Sequence, residues 1–233
     1  MKHSALHIAN IKKRNKLLEF LNNYVSENKK QLFDSIIQYR TRHITVVLED
    51  IYQPHNASAV LRSCDCFGIQ DVHIIENRNT YKVNPDVALG SSKWLTLIKH
   101  NTKENNTLEA FNKLREKGYR IVATTPHKND QTLDELNITT KTALIFGTEL
   151  KGLSDVALEN ADAYVKIPMY GFTESFNISV SAAIILHHLT EKLRNSGISW
   201  KLTEDEIIDI KLNWAKTVVK KSELLVKEFF NRS

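Results

Sequence analysis

Six short runs rich in β-branched residues, separated by stretches of helical periodicity, limit what this chain can fold into more than any other feature. The runs lie at 44–48, 71–75, 94–98, 120–123, 143–146 and 164–167, and helical patterns fall at 56–67, 104–117, 155–161 and 177–194. Strands that alternate with helices predict an α/β domain, a parallel sheet covered on both faces. In that architecture ligands sit outside the carboxyl ends of the strands.

The flanks have a different texture. Over 11–38 the apolar residues Leu17/Leu18, Leu21, Tyr24/Val25, Leu32/Phe33 and Ile36/Ile37 recur every three to four positions. That spacing predicts an amphipathic helix, broken near Ser26. The segment 203–230 opens with Thr203-Glu204-Asp205-Glu206, a capping residue followed by an acidic first turn. Ile207, Ile210, Trp214, Val218, Leu225 and Phe229 continue it at helical spacing. The expected organisation is a basic helical arm over 1–42, an α/β domain over 43–197 and a helical extension over 198–233.

Net charge is +5, and residues 1–42 hold nine Lys/Arg against three Asp/Glu, so the basic excess lies in the first arm. A cationic arm on a near-neutral body suits a polyanion, through counterion release. A solvated helix face is the alternative, and charge alone leaves both open. No apolar run approaches the ~18 residues of a membrane span, and the first residues lack the apolar core of a secretory signal. Cys64 and Cys66, two apart on a helix, suit neither a bridge nor a metal site. They are expected to be buried and reduced, as in a cytoplasmic protein. His187-His188 is expected to be one surface and one core residue, and no other spacing suggests a metal. Neither Gly-x-Gly-x-x-Gly nor a phosphate-loop signature occurs among the seven glycines.

Chemistry-bearing residues concentrate where apolar runs give way to helical patterns. The first cluster, Pro54-His55-Asn56, continues through Arg62 to Phe67-Gly68. The second is Phe146-Gly147-Thr148-Glu149-Leu150-Lys151-Gly152. The third runs Ile167-Pro168-Met169-Tyr170-Gly171, then Ser175-Phe176-Asn177-Ile178-Ser179. Singly, each residue has a plainer role: Asn56 as a helix cap, Ser175 and Asn177 as a capping pair, Arg62 and Glu149 as solvated charges, Phe176 as core, the glycines as turns.

Together, in this order and spacing, the clusters resemble motifs 1, 2 and 3 of the SpoU/TrmH family of RNA ribose 2′-O-methyltransferases, over about residues 43–195. Gly90-Ser91-Ser92-Lys93-Trp94 is similar to the family as well. Pro54-His55-Asn56 and the short arms resemble the branch acting on guanosine 18 of tRNA. Two departures stand out: Leu150 follows Glu149 where the family commonly has a basic residue, and Phe176 lies between Ser175 and Asn177 where it commonly has leucine.

The resemblance implies a SPOUT α/β-knot fold, a parallel sheet whose C-terminal part is tucked into a deep trefoil knot. It also implies a homodimer, S-adenosylmethionine as cofactor and tRNA as partner. Thr124 or Thr125, with Gly147, Ile167 and Phe176, would hold the cofactor. Arg62, Asn56, Glu149, Ser175 and Asn177 would form the catalytic pocket. A guanidinium stays protonated under ordinary conditions, so Arg62 is read as clamping a phosphate and polarising the 2′-hydroxyl. The proton then passes to a phosphate oxygen or transiently to Arg62. Methylation of ribosomal RNA, or RNA binding without catalysis on the same fold, are the alternatives.

Overall fold

A computed structural model describes residues 2–81, 84–88, 90–126, 131–148 and 151–232. The chain divides into two units, 41–200 and a second made of 1–40 with 201–233.

The larger unit is a seven-stranded sheet in the order β3-β2-β1-β6-β4-β7-β5, with every pairing parallel. Its strands are β1 (Ile44–Glu49), β2 (Asp71–Ile75), β3 (Thr96–His100), β4 (Arg120–Thr124), β5 (Gln131–Thr132), β6 (Thr142–Phe146) and β7 (Ala163–Lys166). β1 and β6 lie at the centre and are buried along their whole length. Unbroken apolar runs such as Val46-Val47-Leu48 are what a strand covered on both faces requires.

Successive residues of these strands serve opposite faces. Val46, Val122 and Leu144 join Leu61, Leu186 and Leu189 in one core, between the sheet and helices α3 (Pro54–Cys66) and α7 (Ile178–Arg194). Val47, Ile121 and Ile145 join Phe111, Leu114 and Ala157 in the other, under α5 (Thr107–Glu116) and α6 (Asp155–Glu159). A short helix α4 (Pro85–Ala88) and a 3₁₀ turn (Ser91–Lys93) precede β3. Because the strands are parallel, the segments after β1, β4, β6 and β7 all emerge at one edge of the sheet.

The smaller unit is helical: α1 (Lys2–Asn22), α2 (Glu27–Ile37), α8 (Glu204–Val218) and α9 (Ser222–Arg232). Leu17, Leu21, Phe33, Ile210 and Trp214 are buried, with Phe33 and Trp214 ring centres 5.3 Å apart. Thr203 and Glu206 form a reciprocal capping box at the start of α8. Arg14 pairs with both Asp205 and Asp209, so one cation of the basic cluster is neutralised within this unit, while Lys12 and Lys16 stay exposed. The single helix expected over 203–230 is two, separated where Val219 turns extended and Lys221 takes a left-handed φ of 56°. No helix among the described residues is long and apolar enough to cross a membrane.

Two expectations about side chains fail. Cys64 is buried but Cys66 is exposed, because residues two apart on a helix point some 200° from one another. Neither His187 nor His188 is in the core: His187 lies exposed with its ring 5.8 Å from Phe67, and half-buried His188 reaches Asp134 at 3.3 Å.

Candidate active site

A cavity of about 470 Å³ opens at the carboxyl edge, where the adjacent strands β6, β4 and β7 end. From the end of β4 and just beyond it come Thr124, Thr125 and Pro126; from the end of β6 and the hairpin after it, Phe146, Gly147, Thr148, Lys151 and Gly152. The β7–α7 segment contributes Ile167, Met169, Glu174, Ser175 and Phe176, and α7 contributes Ile178, Ser181 and Ile185. All five residues expected to hold a cofactor, Thr124, Thr125, Gly147, Ile167 and Phe176, line this one space.

Local geometry explains why these residues take these positions. Thr148 and Gly152 exchange backbone hydrogen bonds at 2.9 Å in each direction, closing the loop after β6 into a tight hairpin. A Cβ on Gly147 would come within 2.3 Å of the Gly152 backbone, so only glycine permits the closure. Gly152 itself sits at a φ of 68°. The Thr124 hydroxyl donates to the Ile145 carbonyl at 2.8 Å, tying the end of β4 to β6.

Beside the cavity, the starts of α3 and α7 meet. Gln53 stands at the N-cap position of α3 without a side-chain cap, and Pro54 occupies the first turn, where a missing N–H costs nothing. Asn56, one turn in, is buried and donates through Nδ2 to Gln53 Oε1 at 3.0 Å. Its Oδ1 accepts from Asn177 Nδ2 at 3.1 Å. Asn177 caps α7, its Oδ1 accepting from the Ser179 amide at 2.9 Å and the Ser179 hydroxyl at 2.6 Å. The plainer capping role therefore holds for Asn177 and not for Asn56. This chain of amides fixes which oxygen and which nitrogen each asparagine presents.

Buried Glu49, at the end of β1, accepts from the Ser154 amide (3.0 Å), the Ser154 hydroxyl (2.8 Å) and the Thr107 hydroxyl (2.6 Å). Ser154 caps α6 immediately after the β6 hairpin, so Glu49 anchors the far end of that loop. Next to it Asp50, at a left-handed φ of 53°, accepts through Oδ1 from the amides of Asn77 (2.7 Å), Arg78 (2.9 Å) and Asn79 (3.3 Å).

Comparison with known proteins places this arrangement. The SpoU rRNA Methylase family model matches residues 43–187. The chain belongs to this family. It is 43% identical over 210 residues, 90% of its own length and 94% of the relative's, to a tRNA (guanosine(18)-2'-O)-methyltransferase of Borreliella burgdorferi. A second relative of that description, from Thermus thermophilus, is 34% identical over 74% of this chain and 87% of its own. Among solved structures, the A. aeolicus TrmH/SpoU tRNA modifying enzyme superposes with a TM-score of 0.74 at 30% identity, covering 83% of this chain and 98% of that one.

Against the SpoU motifs, Ser175 lines the cavity and Asn56 and Asn177 are joined beside it. Arg62 stands exposed on α3, two turns beyond Asn56, with no ion-pair partner among the described residues. Glu149 lies outside the described residues. Sequence reasoning passed over Glu49, the last residue of β1 with nothing local to mark it, and gave no role to the wall formed by Ile178, Ser181 and Ile185. The second had a signal: those three share one face of α7 at helical spacing. Among the described residues no group of three or more His, Cys, Asp or Glu is placed to hold a metal ion.

Proposed function

We propose that this chain transfers a methyl group from S-adenosylmethionine to the 2′-hydroxyl of a tRNA ribose, at guanosine 18. One observation carries the reading: a cavity built by motifs 2 and 3 adjoins the Asn56–Asn177 contact that joins motif 1 to motif 3. The family relatives described as tRNA (guanosine(18)-2'-O)-methyltransferases support the substrate.

The residues present fit the donor. The cavity's volume, about 470 Å³, lies within the range of cofactor sites. Phe176, Ile167, Ile178 and Ile185 offer apolar walls for a purine. The Thr124 hydroxyl is already engaged with Ile145, which leaves polar recognition largely to main-chain groups around Thr125, Gly147 and Ile167. Bound there, the donor supplies an electrophilic methyl group on a sulfonium.

The chain's own residues do the rest. Holding two reactants in line supplies much of the rate enhancement. Asn177, held by Asn56 and by its own helix cap, orients the ribose, and Ser175 shapes the cavity mouth. Arg62 engages the nucleotide phosphate with its planar fork and polarises the 2′-hydroxyl. The departing proton goes to a phosphate oxygen or through Arg62, with Glu149 orienting its neighbours. We extend the reading to a homodimer that completes the site, a trefoil-knotted motif 2–motif 3 segment, a cytoplasmic location and the basic helical arm as a tRNA grip.

The test is methyl transfer from labelled donor to unmodified tRNA, with the methylated ribose mapped. Methylation at guanosine 18 by the wild-type chain, and its loss in Arg62→Lys, is the expected result. Methylation of ribosomal RNA alone would transfer the reading to that substrate, and full turnover by Arg62→Lys would remove the arginine from the mechanism.

A further inference from the structure

The β7–α7 segment carries two aromatic side chains that no described residue covers. Tyr170 is 97% exposed and Phe172 107%, the two most exposed large hydrophobic residues among those described. They are not scattered surface residues: Met169 on one side and Glu174 on the other both line the donor cavity. The pair therefore stands on the loop at the cavity's mouth.

Charge indicates what the loop is built to meet. Between Ile167 and Asn177 there is no Lys or Arg and one carboxylate, Glu174, so the segment offers nothing to a phosphate. Among the described residues that line the cavity, the cation is Lys151, from the β6 hairpin. Tyr and Phe rings free in water, beside a cation supplied separately, match a platform for unstacked bases. Every base has a π-face, and recognition of RNA loops relies on stacking bases that have left the helix.

We infer that Tyr170 and Phe172 stack on the unpaired bases flanking the ribose to be methylated and so set the affinity for loop RNA. This rests on the tRNA methyltransferase reading and adds to it the residues that read an unpaired loop. Lys151 faces the backbone while the two rings hold the bases, which splays the target sugar toward the cavity.

The full-length chain, Tyr170→Ala, Phe172→Ala, the double variant, Tyr170→Phe and Phe172→Trp are compared. Affinity for a tRNA transcript is read by fluorescence anisotropy, donor affinity by calorimetry and mass by light scattering. Each alanine variant is expected to weaken tRNA binding about tenfold, and the aromatic replacements about twofold or less. Donor affinity and the salt dependence of tRNA binding stay unchanged, because stacking neutralises no phosphate. Wild-type affinity in the double variant would overturn the inference. So would a fall in mass, which gives the rings to a second copy of the chain, or a parallel loss of donor affinity, which makes them cavity wall. A wild-type chain that binds tRNA through these rings yet transfers no methyl group would refute the methyltransferase reading while upholding this one.

Discussion

Asn177 donates through Nδ2 to Asn56 Oδ1 at 3.1 Å, joining residues 121 positions apart at the start of two different helices. Motif 1 and motif 3 are thereby one hydrogen-bonded unit, and each asparagine has its amide orientation set by a further partner, Gln53 or Ser179. A contact made this way couples two side chains that would otherwise act separately.

The coupling separates positioning from helix capping. Asn177→Asp keeps an oxygen to cap α7 and adds favourable charge at a helix N-terminus, so unfolding free energy should stay within about 1 kcal/mol of wild type. It replaces the donor facing Asn56 with an acceptor, and kcat/KM should fall by roughly tenfold or more. Asn56→Ala and Asn177→Ala, singly and together, should show a coupling of about 1 kcal/mol in a double-mutant cycle on kcat/KM. Strict additivity would show that the contact contributes nothing.

Gly147 leads to the second expectation. With a Cβ only 2.3 Å from the Gly152 backbone, Gly147→Ala forces the β6 hairpin open. The sheet ends at Phe146 and the hairpin follows it, so the main damage should be to donor affinity, lowered roughly tenfold or more with far-ultraviolet dichroism retained. Calorimetric titration of the donor measures this. Undiminished affinity would mean that the hairpin does not shape the donor's seat.

Glu49 acts on the same hairpin from its far end. Glu49→Gln keeps one acceptor oxygen but turns a donor toward groups that also donate, either the Ser154 N–H or both hydroxyls, which share one carboxylate oxygen. Stability should drop by about 1–3 kcal/mol, read from urea unfolding. Glu49→Ala removes the acceptor of the Ser154 amide and of both hydroxyl protons, that of the fully buried Thr107 included, and should cost more than the glutamine variant. Equal stability of Glu49→Ala and wild type would exclude the anchoring role.

Much of this fold was legible because buried parallel strands announce themselves as unbroken β-branched runs, as in Ile44-Thr45-Val46-Val47. The run at 94–98 was placed two residues early because Trp94 closes a 3₁₀ turn rather than opening β3. β5 is two residues long and has no pattern to detect. The break after Val218 has neither Gly nor Pro to mark it, and Lys221 takes the left-handed conformation instead. That Gly147, Ile167 and Phe176 would face one space was legible from the order of the motifs. The site's internal bonding was not: that Asn56 is buried against Asn177, and Glu49 against Ser154, depends on which helices cross at the sheet edge, and no local spacing encodes that.

The last expectation concerns acid. His73 on β2 and His100 on β3 are buried with stacked rings, and His73 Nδ1 lies 2.9 Å from His100 Nε2. One ring donates and the other accepts, which requires at least one neutral imidazole. Burial, then the neighbouring His100 and Lys117, push the His73 pKa down to about 3. Burial, then Lys113, lowers that of His100 too, against an opposing pull from Glu109. A histidine whose folded pKa lies below its unfolded value favours the folded state fully above the unfolded pKa, and loses that advantage as pH falls, because only the unfolded chain takes up the proton. Between about pH 6.5 and 3, unfolding free energy should therefore decline by on the order of 1.4 kcal/mol per pH unit for His73, with His100 adding to it. His73→Gln removes that titration and should flatten the slope by about one proton. Urea unfolding at half-unit pH steps measures it, and equal slopes in variant and wild type would show that His73 is protonated in the folded chain.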